Sequence, residues 1–157
     1  MILAKNSLRV AIIGARDATQ DGLSFAYELG KLLAEKGVLV YNGGGAGIME
    51  AASKGVQAGN GICIGILKED DLSVANEFIN IPIMTGMGDL RNGIIIRSVH
   101  AAIAIEGAYG TLSEIAYTLG DKKPVFAYHS WDIPGANRVE SPEEAVNSLL
   151  NSLGHHE

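Results

Sequence analysis

Short apolar runs alternate with longer amphipathic segments along this chain, and the alternation predicts strands separated by helices. The predicted strands cover 9–13, 38–41, 62–67, 79–84, 101–105 and 124–128. The predicted helices cover 23–36, 48–58, 89–99 and 111–119, and Ser141 and Pro142 open a last one. This order is typical of a parallel sheet with both faces covered. The sequence therefore predicts an α/β fold: a single Rossmann-like domain over 1–157, with a mostly parallel sheet of six to seven strands and helices on both faces.

The fourth predicted strand and the third predicted helix each allow a more specific prediction. Pro82 interrupts the fourth predicted strand, and proline is tolerated in a strand only where the ladder needs no donor. The helix over 89–99 contains Ile94-Ile95-Ile96 and is apolar on more than one face. Such a helix is buried in its own domain or covered by another subunit. We therefore expect a homodimer, and the loop over 132–138 is left open between a lid and a dimer contact.

Composition limits the possible partners. The 157 residues are 47% hydrophobic and 19% charged, which is typical of an ordinary globular protein. The net charge of −6 argues against nucleic acid, which requires a basic surface, but a small anion still binds where local dipoles and arginines face it. No apolar run is long enough to span a bilayer, and the first residues do not resemble a signal peptide. We expect a cytoplasmic protein with neither a nucleic-acid nor a membrane partner.

The cysteine and histidine content predicts no metal site. Cys63 is the single cysteine and lies in an apolar run, so it is interpreted as a core thiol in a reducing compartment. His155-His156 is too short to indicate a metal site and is expected to be a frayed tail. No resident cofactor is predicted.

Two glycine-rich turns follow apolar strands, at 42–49 and at 106–111. Glycines let the backbone approach a ligand closely, and a helix that starts there directs unpaired N–H groups toward an anion. Because parallel crossovers place both turns at the carboxyl edge of the sheet, the pair predicts an anion site for a phosphorylated small molecule. The alternative is that both are ordinary strand-to-helix turns.

A dinucleotide or ATP site is not indicated. The first strand ends in Gly14-Ala15-Arg16-Asp17, which lacks the G-x-G-x-x-G pattern. No G-K-[ST] follows a glycine loop either. The glycine-rich turns that are expected to bind phosphate instead follow the second and fifth predicted strands.

The segment Gly43-Gly44-Gly45-Ala46-Gly47-Ile48-Met49-Glu50 resembles the GGGxxGxM motif of the Lonely Guy (LOG) family, long mislabelled as lysine decarboxylases. Gly107-Ala108-Tyr109-Gly110-Thr111-Leu112-Ser113-Glu114 resembles that family's PGGxGTxxE motif, and Arg91 has the family's spacing from it. The same superfamily includes DprA and a molybdenum cofactor carrier. The segment over 86–92 is similar to the carrier and to an uncharacterised branch.

LOG enzymes cleave the N-glycosidic bond of a nucleoside 5′-monophosphate and release the base and ribose 5-phosphate. The resemblance implies that Glu114 stabilises the oxocarbenium-like centre or activates water, and that Arg91 orients Glu114 or holds the base or the phosphate. It also implies a set of phosphate- and nucleotide-binding residues. They are Gly14, Gly43, Gly44, Gly45, Gly47, Met49, Gly107, Tyr109, Gly110 and Thr111.

The chain departs from the LOG motifs in ways that keep alternatives open. Glu106 stands where the family has proline and places a carboxylate beside the phosphate loop, and Asn92 replaces the usual lysine. A non-catalytic carrier of a phosphate-bearing cofactor such as molybdopterin is therefore the alternative function. Among single residues, Glu114 is alternatively a stabilising first-turn acid, Arg91 an ion-pair partner of Asp89, and Thr111 a helix N-cap.

Overall fold

The computed structural model describes residues 6–154 and contains the predicted alternation of strands and helices. Residues 1–5 and the expected tail at His155-His156 lie outside the described residues. The strands are β1 Arg9–Gly14, β2 Leu39–Asn42, β3 Cys63–Leu67, β4 Ile81–Met84, β5 Ala101–Ile105, β6 Val125–Tyr128 and β7 Ala136–Arg138. The helices are α1 Gln20–Glu35, α2 Ile48–Ala58, α3 Arg91–Arg97, α4 Tyr109–Gly120 and α5 Pro142–Ser152. Single 3₁₀ turns cover Leu72–Val74 and Gly88–Leu90.

All seven strands belong to one sheet in the order β4-β3-β2-β1-β5-β6-β7, and every neighbouring pair is parallel. The α/β, Rossmann-like fold class is therefore confirmed. β1 lies in the centre and pairs with both β2 and β5, so the turns after β1, β2 and β5 open at the same edge. Pro82 lies in the edge strand β4. The outer side of an edge strand has no partner strand, so the N–H that proline lacks there leaves no hydrogen bond unmade.

Alternate residues of β1 point into two separate apolar layers. Val10 and Ile12 pack with α1, α2 and α5, whereas Ala11 and Ile13 pack with α3 and α4. The sheet is thus covered on both faces, and its central strands are apolar on both sides, as a buried parallel sheet requires. No helix among residues 6–154 is long and apolar enough to cross a membrane.

The apolar residues of helix α3 are buried mainly against other parts of the same chain. Ile95 and Ile96 are fully buried against the sheet, and Ile94 is half-buried. Arg97, at the end of α3, forms an ion pair with Asp121 at 3.0 Å. The isoleucine run therefore does not by itself require a second subunit, and the homodimer stays a prediction.

Several helix boundaries differ from the predicted ones. α1 starts three residues early, because Thr19 caps it by accepting a hydrogen bond from the Gly22 N–H at 3.0 Å. α4 begins at Tyr109, so Ala108 occupies its N-cap position, and the prediction of an N-cap at Thr111 was wrong. Thr111 instead lies in the first turn of α4 with its side chain buried.

Candidate functional site

A cavity of about 490 Å³ opens at the carboxyl ends of β1 and β5, between the start of α4 and helix α3. A second cavity of about 330 Å³ adjoins it beside the turn after β2. The two share a wall made by Arg16, Gly43, Met49, Lys68 and Arg91. Open α/β folds bind ligands at this edge of the sheet, so the larger cavity is the candidate site.

The second glycine turn forms one end of the larger cavity. Gly107 has φ +110°, and a Cβ there would lie 2.7 Å from Cγ2 of Thr111, so only glycine allows Thr111 to pack under the turn. Gly107, Gly110 and Thr111 line the cavity, and the first N–H groups of α4 have no partner within the helix. The turn therefore presents an unpaired, electropositive helix end to the cavity.

Two aromatic residues support this turn from outside. The Trp131 Nε1–H donates to the Ala108 carbonyl at 2.9 Å. Tyr109 is 80% exposed, and its ring centroid lies 6.1 Å from that of Trp131. Tyr109 is absent from the walls of both cavities, although it was expected to bind the ligand.

The first glycine turn lines mainly the second cavity. Gly44 and Gly45 line only that cavity, whereas Gly43 lies on the shared wall. The buried Asn42 holds the turn, because its Oδ1 accepts from the Gly44 N–H at 2.7 Å and its amide donates to the Ser53 hydroxyl at 2.9 Å. The second turn therefore lines only the larger cavity, and the first turn reaches that cavity through Gly43 and Met49.

Gly47 and Gly14 serve close packing. Gly47 has φ +70° and lies against the carbonyls of Ala15 and Arg16, outside the walls of both cavities. The following N–H, of Ile48, donates to the Ala15 carbonyl at 2.9 Å. Gly14 lines the larger cavity and lies against Ile48, whose Cγ2 would be 2.8 Å from a Cβ at that position.

Arg91 connects the two cavities. Its Nη1 donates to the carbonyls of Gly43 at 2.9 Å and Ile66 at 2.6 Å, and its Nε donates to Oδ1 of Asn92 at 2.8 Å. Burial lowers the pKa of Arg91, while the neighbouring Glu114 acts in the opposite direction. Among residues 6–154 Arg91 and Asp89 form no ion pair within 4 Å, and the Asp89 carboxylate acts on Arg91 only at longer range, by favouring its charged form.

Glu114 lies in the cavity wall with only 8% of its surface exposed. Burial raises its pKa from 4.5 to about 8, and Arg91 offsets only part of that rise. The side chain therefore carries a proton at pH 7. A protonated carboxyl group donates a hydrogen bond, which differs from the carboxylate roles that the LOG motif implies.

This pKa predicts how stability changes with pH. Between pH 4.5 and about 8 the folded protein binds a proton at Glu114 that the unfolded chain releases, so the free energy of unfolding falls as pH rises. Glu114→Gln removes this dependence. We expect the variant to match the wild type near pH 4.5 and to gain about 4 kcal/mol relative to it by pH 8.5. Urea unfolding measured across this range tests the expectation, with Glu50→Gln as the control for loss of one negative charge, and a constant difference would contradict it.

Glu106 turns toward helix α1. Its Oε1 accepts from the Thr19 N–H at 2.9 Å, and its Oε2 accepts from the Thr19 hydroxyl. The residue still lines the larger cavity. Its carboxylate therefore forms hydrogen bonds at the start of α1, and the residue lies beside the turn that precedes α4.

The wall residues that were not predicted as site residues include four polar or charged ones that bear on the larger cavity. Arg16 and Lys68 supply cationic groups to both cavities, while Asp17 and Asn92 line the larger one. Arg16 and Lys68 closely follow β1 and β3, so their position at the carboxyl edge was a usable signal. Asn92 is buried and accepts the Arg91 hydrogen bond, which the sequence alone does not indicate.

Comparison with known proteins identifies the family. The model of the SLOG cluster4 family matches residues 7–152, and the chain belongs to that family. An uncharacterized protein of Archaeoglobus fulgidus is 41% identical over 147 residues, covering 92% of this chain and 96% of that protein. The cytokinin riboside 5′-monophosphate phosphoribohydrolase LOG of Oryza sativa subsp. japonica is 36% identical over 106 residues. That alignment covers 65% of this chain and 42% of the rice protein.

Solved structures share the fold over nearly the whole chain. The molybdenum cofactor binding protein from Rippkaea orientalis has a TM-score of 0.90 and 30% identity, covering 96% of this chain and 99% of its own. The molybdenum cofactor carrier protein from Chlamydomonas reinhardtii has a TM-score of 0.86 and 27% identity, covering 94% and 99%. DprA from Streptococcus pneumoniae, at 17% identity and a TM-score of 0.74, shares the fold alone. The resemblance to the LOG superfamily is therefore confirmed.

Proposed function

We propose that the larger cavity binds a phosphorylated, nucleotide-like small molecule and hydrolyses the N-glycosidic bond of a nucleoside 5′-monophosphate. The observation that carries the proposal is that the start of α4 opens onto the same cavity as Arg91 and the buried Glu114. A helix start binds a phosphate, and a buried acid in the same space supplies a proton. The rice relative's name describes a phosphoribohydrolase of this class.

We assign the phosphate of the ligand to the turn that precedes α4 and to the first turn of that helix. The N–H groups of Tyr109, Gly110 and Thr111 lack helical partners, and Gly107 and Gly110 line the cavity beside them. Arg91 adds a positive charge to the same cavity, and its Nη2 has no hydrogen-bond partner among residues 6–154. Arg16 and Lys68 increase the local positive charge in a chain whose net charge is −6.

Glu114 is assigned the role of general acid. Its carboxyl proton passes to the ring nitrogen of the departing base as the bond from that nitrogen to C1′ breaks. Water adds to the resulting oxocarbenium-like C1′ and returns a proton to the Glu114 carboxylate, so the products are the free base and ribose 5-phosphate. The carboxylate formed during the step lies near Arg91, which favours its negative charge.

Incubation with AMP tests the proposal. We expect adenine and ribose 5-phosphate to appear in equal amounts, which chromatography and a reducing-sugar assay measure. Adenosine, which lacks the phosphate, is the control and is expected to turn over at least about a hundredfold more slowly because the phosphate interactions are missing. Absence of adenine with AMP, and of free base with any other purine or pyrimidine 5′-monophosphate, would reject the hydrolase.

A non-catalytic carrier of a phosphate-bearing cofactor is the second candidate. It is favoured because the structural match to the Rippkaea orientalis cofactor-binding protein covers nearly all of both chains, whereas the LOG alignment covers 42% of the rice enzyme. For a carrier we expect one equivalent of a pterin fluorophore to be released when protein purified from its native cells is denatured. Stoichiometric pterin without turnover of any nucleotide would replace the hydrolase by the carrier.

A further inference from the structure

Glu106 places a carboxylate of the protein itself at the start of helix α1. The carboxylate accepts both the backbone N–H and the hydroxyl of Thr19, the residue that caps α1. It also lies against Gly22, where a Cβ would be 2.6 Å from the Glu106 carboxyl carbon. The anion-binding end of α1 is therefore already filled by a negative group.

The backbone of Glu106 indicates that the side chain matters. Glu106 has φ +53°, a left-handed conformation that is unfavourable for residues other than glycine. Glycine would adopt it without strain, yet the position carries a long charged side chain. The bonds to Thr19 and the space left by Gly22 compensate for this strain.

The wall of the larger cavity carries charges of both signs. Arg91 and the free N–H groups of α4 attract an anion, and Arg16 and Lys68 add positive charge. Glu106 and Asp17 add carboxylates, and Glu106 holds its own at the start of α1. Rossmann dinucleotide sites bind a pyrophosphate at the turn after β1. In this chain a ligand phosphate at that place meets the Glu106 carboxylate at short range.

We infer that Glu106 is a specificity-determining residue that limits the ligand to a single phosphate at α4, because its carboxylate takes the place of a second phosphate at α1. The inference rests on the proposed phosphate site at α4. It assigns to Glu106 the exclusion of diphosphates and dinucleotides. A ligand with a single phosphate monoester binds at the start of α4 and leaves the hydrogen bonds between Glu106 and Thr19 intact.

Inorganic phosphate and pyrophosphate test this inference, because neither contains a bond that the proposed hydrolase cleaves. Isothermal titration calorimetry is expected to show that the wild type binds pyrophosphate no more tightly than phosphate. In Glu106→Gln we expect pyrophosphate to bind at least about tenfold more tightly, which equals about 1.4 kcal/mol, and phosphate to change by less than about threefold. Glu50→Gln removes the same charge from the adjoining cavity and is expected to leave the ratio of the two affinities unchanged.

Glu106→Gly provides a second variant that does not depend on the fit of glutamine, because glycine keeps the left-handed backbone without strain. It is expected to tighten pyrophosphate binding in the same way. Equal gains for both anions, or no gain, would overturn the inference and leave the α4 site standing. Such a result is expected if the second phosphate lies toward Arg16 and Lys68. Absence of binding of either anion by every variant would overturn the inference together with the proposed phosphate site.

Discussion

Replacement of Glu114 by glutamine is expected to lower the rate of adenine release from AMP by about 10²–10⁴-fold. Glutamine keeps the size of the side chain but has no proton to give to the departing base. Because Glu114 is assigned no contact with the phosphate, the Kd for AMP is expected to change by less than about threefold. Single-turnover rates and equilibrium dialysis separate the two effects, and Glu69→Gln, on the wall of the second cavity, is the control for the same exchange outside the larger cavity.

The pH dependence of turnover distinguishes a protonated Glu114 that acts as an acid from an ionised Glu114 that acts as a base. A general acid works in its protonated form, so the turnover number of the wild type is expected to be highest below about pH 8 and to fall as pH rises through that value. Residual turnover by Glu114→Gln is expected to show no such fall. A wild-type rate that rises through pH 8 would identify the carboxylate, and hence base catalysis, as the working form.

The sequence predicts the fold well because the strands are continuous apolar runs and the helices between them are amphipathic. β7 was missed since it has only three residues, Ala136–Arg138, and pairs with β6 on one side only. The start of α4 was placed at Thr111 because threonine is a favoured N-cap residue. Gly107, whose left-handed backbone lets Thr111 pack beneath the turn, instead allows the helix to begin at Tyr109.

The position of the candidate site follows from the sequence, whereas the contacts within it do not. Parallel topology places both glycine turns at one edge of the sheet, which follows from the order of the elements. The bond from Thr19 to Glu106 joins residues 87 positions apart, and the bond from Arg91 to Gly43 joins residues 48 apart. No local pattern contains such pairs. The raised pKa of Glu114 is likewise a consequence of burial, which depends on the packed structure.

Gly47→Ala is expected to destabilise the protein far more than a glycine substitution at a similar backbone angle elsewhere. Gly47 has φ +70°, and a Cβ there would lie 2.7 Å from the Arg16 carbonyl carbon. Gly47 also has ψ −128°, so its backbone conformation as well as the clash disfavours alanine. Gly37 has φ +74°, and a Cβ at that residue would have no neighbouring atom within 4 Å, so Gly37→Ala measures the cost of a positive φ without a clash. We expect Gly37→Ala to cost about 1–2 kcal/mol and Gly47→Ala to cost about 1–3 kcal/mol more.

The same comparison tests how packing at Gly47 positions the candidate site. Relief of the clash requires the start of α2 to move away from the turn after β1, which breaks the bond from the Ile48 N–H to the Ala15 carbonyl. Arg16 follows Ala15 and lines both cavities, so we expect Gly47→Ala, but not Gly37→Ala, to weaken AMP binding. Urea unfolding and equilibrium dialysis measure the two effects. Equal loss of stability in the two variants would mean that the close approach at Gly47 contributes nothing, and that the glycine is required only for its backbone angle.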